Sequence, residues 1–160
     1  MKRRLVEARI NQWRQTMEVF MPYKKSKMVG GSGGLEFSDN LTQTVRIVSI
    51  SVRHGTVVDA IQTTWLLTDG TQIKGECHGG GRGEEAVIEF ASDEHIVTIQ
   101  GRSGSLIDSL TITTNKKAYG PYGGNGGAPF GPIPAEGAGG FFGRFGGYLD
   151  AIGVFIPANA

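Results

Sequence analysis

Three aspartates stand four residues after a glycine and immediately ahead of an apolar run: Gly55–Asp59 ("GTVVD"), Gly104–Asp108 ("GSLID") and Gly146–Asp150 ("GGYLD"). Aspartate is a poor strand residue, so its place at the head of a strand calls for a reason. A glycine turn that ends in a carboxylate aims backbone N–H donors and a charged acceptor at one small polar ligand. The plain structural alternative is a turn carboxylate that caps its own backbone N–H groups.

Spacing separates the two. Glycine clusters stand at 30–34 ("GGSGG"), 79–83 ("GGGRG") and 123–127 ("GGNGG"), and each is followed by one Gly-x-x-x-Asp after 25, 25 and 23 residues. With 26 glycines and 6 aspartates, random placement yields about one such motif. Capping explains one turn well, but it does not explain a common offset from a glycine cluster in all three. The units repeat every 42 to 49 residues, and three β units of this length imply pseudo-threefold symmetry.

Other chemistry finds no support. His54, His78, His95 and Cys77 show no metal-ligand spacing, and no nucleophile–base motif is present. No pair of acids suggests glycoside hydrolysis, and Glu84-Glu85 reads as a solvated turn. The glycine clusters lack the Gly-Lys-Ser/Thr of a phosphate loop and the βαβ unit of a dinucleotide site. Neither an enzyme nor a cofactor is expected.

The elements that position these turns read as strands. "TVRIVSISV" (44–52), "VVDAIQTTWLL" (57–67), "AVIEF" (86–90), "HIVTIQ" (95–100), "IDSLTITT" (107–114) and "YLDAIGVFI" (148–156) are rich in β-branched residues and separated by Gly, Asp, Asn and Pro. Residues 1–21 differ. Val6, Ile10, Trp13, Met17 and Phe20 recur at helical spacing, and Pro22 ends the pattern. Residues 1–29 carry a net charge of +6 and residues 30–160 a net charge of −5. The division predicted is an N-terminal amphipathic helix and basic linker over 1–29, then one all-β domain over 30–160. A single cysteine precludes an intramolecular disulfide. No run is long enough to span a membrane and no signal peptide is read, so a cytoplasmic location is expected.

The signatures "GGSGG", "RIVSISV", "VVDAIQ", "TNKKAYGPYGGNGG" (114–127), "GGFFGR" (139–144) and "YLDAIGVF" (148–155) resemble the jacalin-related lectins, most closely their mannose-binding branch. The resemblance covers residues 30–156. It implies a β-prism of three four-stranded antiparallel Greek-key sheets with pseudo-threefold symmetry, and carbohydrate binding without catalysis. It also implies a first sugar site at Gly34, Gly147, Tyr148 and Asp150. There the Gly147 and Tyr148 N–H groups donate, and the Asp150 carboxylate accepts from two hydroxyls through charge-assisted bonds.

Family members with a site in every unit pair each motif with the next glycine cluster. By that rule a second site uses Thr56, Val57, Asp59 and Gly83, and a third uses Ser105, Leu106, Asp108 and Gly127. Val57 and Leu106 replace the aromatic Tyr148, and Arg82 in the second cluster either reaches the sugar or blocks the cleft. Galactose-specific members cleave the chain at the glycine corresponding to Gly34. Here the chain runs through, which favours mannose and glucose.

The partners expected are mannose- and glucose-containing glycans and glycoproteins, as for an agglutinin, with no nucleic acid. A homo-oligomer is expected, because self-association of the N-terminal helix would present several sugar sites together. The rival reading is a β-prism scaffold or interaction module whose basic helix drives oligomerisation or lies on an anionic membrane surface.

Overall fold

The computed structural model describes residues 23–158. Fourteen strands, numbered in chain order, form three antiparallel sheets. The first has β13 (Gly140–Phe145) and β14 (Leu149–Pro157) at its centre and β3 (Leu35–Ser38) beside β13. On its other side β1 (Tyr23–Lys25) and β2 (Val29–Gly30) share the edge of β14. The second pairs β4 (Thr44–His54) with β5 (Val58–Leu67). β8 (Glu84–Glu89) lies beside β4, and β6 (Gln72–Lys74) and β7 (His78–Gly79) run along β5. The third pairs β9 (Ile96–Ser103) with β10 (Ile107–Thr114), flanked by β12 (Ala128–Pro134) and β11 (Ala118–Gly123).

The connection is Greek key. In the second and third sheets the fourth strand of the unit returns beside the first, giving the spatial order 4-1-2-3. The first sheet has the same order only if the chain ends are read as continuous, because β13 and β14 come from the C-terminal part and β1, β2 and β3 from the N-terminal part.

Alternation turns one face of each sheet inward. Ile50, Ile61 and Ile88 of the second sheet, Ile99, Leu110 and Ile112 of the third, and Phe141, Leu149 and Ile152 of the first form one core. The strands β5, β10 and β14 each touch the other two, so the three sheets meet around a common axis. On β4 both Ile47 and Ile50 are buried although they lie three apart. The register against β5 shifts between Ile47 and Ser49, and such a bulge keeps both side chains inward.

Two expectations are modified, and one lies outside the described residues. The N-terminal helix over residues 1–21 lies outside the described residues, among which there is no helix. Only the third sheet is strictly four-stranded. In the other two an outer strand is split, into β1 and β2 or into β6 and β7. Residues 22–29 are not simply a linker, because Tyr23–Lys25 and Val29–Gly30 pair with β14. Between the two strands Ser26 closes the gap. Its N–H donates to the Val154 carbonyl, and its Oγ accepts the Val154 N–H, both at 2.9 Å. Without this segment the edge of β14 would present unpaired backbone groups.

Candidate functional site

The three Gly-x-x-x-Asp turns share one geometry. In each, the glycine N–H donates to the carbonyl two residues on: Gly55 to Val57 at 2.9 Å, Gly104 to Leu106 at 3.0 Å and Gly146 to Tyr148 at 2.9 Å. Each aspartate is the second residue of a central strand or lies at its head: Asp59 on β5, Asp108 on β10 and Asp150 on β14. The aspartate carbonyl accepts the N–H of the second glycine in a cluster: Gly80 to Asp59 at 3.0 Å, Gly124 to Asp108 at 2.8 Å and Gly31 to Asp150 at 2.8 Å. None of the N–H groups of Thr56, Val57, Ser105, Leu106, Gly147 and Tyr148 donates within these backbone turns, which leaves two donors beside each carboxylate.

The last glycine of each cluster faces the carboxylate. Gly34, Gly83 and Gly127 have φ of +70°, +81° and +68°, a conformation that L side chains avoid. A Cβ on Gly34 would lie 3.0 Å from Asp150 Oδ1, on Gly83 2.8 Å from Asp59 Oδ1, and on Gly127 2.5 Å from Asp108 Oδ2. Glycine keeps that space open. The structure thus brings Gly34 to Asp150, Gly83 to Asp59 and Gly127 to Asp108, so Asp59 and Asp108 each meet the next cluster, and the Gly34–Asp150 pairing closes the cycle between the C-terminal and N-terminal parts.

A further set of residues belongs to these turns. Arg53, Arg102 and Arg144 each stand two residues before the turn glycine. Arg144 donates through Nε to the Gly33 carbonyl and through a terminal nitrogen to the Gly34 carbonyl, both at 2.9 Å. Arg102 does the same to Gly126 at 3.0 Å and Gly127 at 2.8 Å. Arg53 makes one bond of this kind, to Gly83 at 3.3 Å. A planar fork of donors suits two successive carbonyls. The signal was present in the sequence: the full repeat is Arg-x-Gly-x-x-x-Asp, and reading from the glycine left its first member out.

The turns also touch one another. A Cβ on Gly31 would run into the Ser105 carbonyl, on Gly80 into the Gly147 carbonyl, and on Gly124 into the Thr56 carbonyl. Each contact joins the second glycine of a cluster to the second residue of another unit's turn. The three candidate sites therefore form a closed ring at one end of the molecule.

They are not equal. Asp59 is buried, with 5% exposure, whereas Asp108 and Asp150 are half-buried. Burial pushes the Asp59 carboxyl above the usual carboxylate range, and the charges of His54, Arg53 and Arg82 pull it back. Arg82 itself is exposed. Tyr148 stands 42% exposed at the first turn, while Val57 and Leu106 are half-buried. Among the described residues no cluster of His, Cys, Asp and Glu is arranged to hold a metal ion.

Comparison with known proteins gives a consistent picture. Residues 26–155 match the family described as "Jacalin-like lectin domain". Horcolin of Hordeum vulgare is 38% identical over 136 residues, covering 79% of this chain and 92% of that protein. The structure of AcmJRL, described as a mannose binding jacalin related lectin from Ananas comosus, superimposes with a TM-score of 0.75 at 31% identity. The match covers 84% of this chain and 98% of that one. Malaysian banana lectin gives a TM-score of 0.75 at 35% identity, covering 85% and 99%.

Proposed function

The chain belongs to the jacalin-like lectin family, whose members bind carbohydrate and are not catalytic, and on that premise we propose that it recognises mannose- and glucose-type glycans at its Asp150, Asp59 and Asp108 turns. In the first site Asp150 accepts hydrogen bonds from two sugar hydroxyls. The Gly147 and Tyr148 N–H groups donate to ring and exocyclic oxygens, and Gly34 lets the ligand approach its backbone. One carboxylate without a cationic partner in the ligand suits an uncharged sugar. The second site uses Thr56, Val57, Asp59 and Gly83, and the third Ser105, Leu106, Asp108 and Gly127. The observation that carries the reading is the threefold recurrence of a carboxylate, two adjacent N–H donors and a positive-φ glycine that keeps the space before them open. A homo-oligomer and a cytoplasmic location complete the proposal. Mass measurement in solution and immunolocalisation check them.

The deciding experiment is calorimetric titration with methyl α-mannoside, with methyl α-galactoside as control. Mannoside binds and galactoside does not. The stoichiometry, from one to three per chain, counts the working turns. Asp150→Ala removes the charged acceptor and weakens the first site by at least about a hundredfold, as expected for two hydrogen bonds to a charged group. Retained mannoside affinity at that site would overturn the assignment.

A further inference from the structure

We propose that the groove on the outer face of the third sheet is a saccharide subsite that extends the turn ending in Asp108. The proposal rests on the lectin reading and adds to it a place for a second sugar residue. The groove has a volume of about 460 Å³, within the range of roughly 300–1,000 Å³ usual for small-molecule sites. Gln100, Arg102, Ser109, Thr111, Asn125 and Pro129 line it. Gly123 and Gly124 line it too, and they open the same cluster whose last glycine faces Asp108. The groove therefore begins where the third turn site ends.

Its floor is built for hydroxyl-rich ligands. Leu110 and Ile112 point into the core with no exposure, so Ser109 and Thr111 face the other way, into the groove. They are only 4% and 9% exposed, yet neither hydroxyl has a hydrogen-bond partner among the described residues. Among the described residues no side-chain nitrogen or oxygen fully shut off from solvent lacks a partner, so each of these two unpartnered hydroxyls keeps an opening, and the groove is where it opens. Gln100 and Asn125 add carboxamides that both donate and accept. Arg102 is the one charged lining residue, and two of its donors are already held by the Gly126 and Gly127 carbonyls. The groove has no carboxylate and hence no charged acceptor, so by itself it binds weakly. Its contribution appears when a neighbouring sugar residue of the same chain is anchored at Asp108.

Isotope-labelled full-length protein titrated with methyl α-mannoside and with α-linked mannotriose tests this by amide chemical shifts. The monosaccharide perturbs the turn amides alone. Mannotriose also moves the amides of Gln100, Gly101 and Thr111. Calorimetry on Ser109→Ala/Thr111→Val shows mannotriose affinity reduced about tenfold, as expected for two neutral hydrogen bonds, with mannoside affinity unchanged. Gln100→Ala, at an exposed position, serves as a second variant that leaves the sheet intact, and it too weakens mannotriose selectively. If mannotriose leaves the groove amides unmoved and both variants bind it like the parent, while mannoside still perturbs the turns, the groove proposal falls and the lectin reading stands. If mannoside leaves the turns unmoved, the turn reading falls. The groove, as an extension of the third turn, then falls with it, since no anchored sugar is left for it to extend.

Discussion

At the scale of single residues the Arg-x-Gly-x-x-x-Asp repeat separates two roles. The aspartate faces the space that the last cluster glycine keeps open, and the arginine holds the glycine loop that borders it. Arg144→Gln removes the two bonds to the Gly33 and Gly34 carbonyls and frees the loop facing Asp150. We expect methyl α-mannoside affinity at the first site to drop about tenfold. Arg144→Lys should not restore it, since an ammonium lacks the planar fork. Equal affinity in all three proteins, measured by calorimetry, would show that the loop needs no such support.

Asp59 supplies a pH test at the same scale. Its carboxyl is raised by burial, so on acidification it takes up a proton earlier than an ordinary carboxylate does. The neutral form cannot serve as a charged acceptor. As pH falls, binding at the second turn is therefore lost already above the usual carboxylate range. For folding the sign is opposite: a raised carboxyl pKa favours the folded protein at low pH, and that contribution fades as pH rises through the folded value. A shift titration of the second turn over a descending pH series checks this, and binding that persists down into the usual carboxylate range would refute it.

At the scale of elements, one buried contact ties two sheets together. Asp39, just after β3, lies with its side chain 3% exposed and meets His78 Nε2 of β7 at 2.8 Å. Its other oxygen accepts the Phe141 N–H of β13 at 2.9 Å, and the His78 ring stacks on Phe37 at 4.0 Å. Asp39→Ala leaves a buried imidazole and a backbone donor without their partner. Each buried polar group left unsatisfied costs roughly 1–3 kcal/mol, so the expected cost is about 2–6 kcal/mol of unfolding free energy, read by chemical denaturation. A loss below about 1 kcal/mol would mean that this contact adds little to the joint between the sheets. Two of the elements that sequence reading missed share a cause. "AYGPYG" and "APFGPIP" form β11 and β12, but glycine and proline signal turns, and proline sits comfortably only on outer strands such as these. The inner strands β4, β5 and β10 were legible because they carry the β-branched residues that fill the core.

At the scale of the whole molecule the chain ends meet in one sheet. β1 and β2 cover the edge of β14, so residues 23–30 belong to the prism. Two shortened chains isolate the effect. A chain starting at residue 23 keeps β1, and one starting at 29 loses it. The second should unfold at a lower temperature, by several degrees, because the β14 edge is exposed and the Ser26 bridge to Val154 is gone. Identical midpoints in calorimetric scans would show that β1 adds nothing. The ring of turns is also a property of this scale, since each candidate site touches the next through a glycine too close to the neighbouring carbonyl to carry a side chain.

The sequence by itself determined the all-β class and the threefold repeat, and its motifs carried the resemblance to the family, which in turn supplied the pairing of each aspartate with the next glycine cluster. Class and repeat are written in local spacing, and local spacing survives without knowledge of contacts. Only the tertiary structure decided that residues 23–30 complete the first sheet, that Asp59 is buried while Asp150 is not, and that an arginine secures each glycine loop. The same holds for the open groove bordered by the third site. These depend on which polar groups, such as the Gly33 carbonyl and the Arg144 guanidinium, are brought within hydrogen-bond reach. Burial and pairing at that range are set by how three sheets close on one another, which no local pattern records.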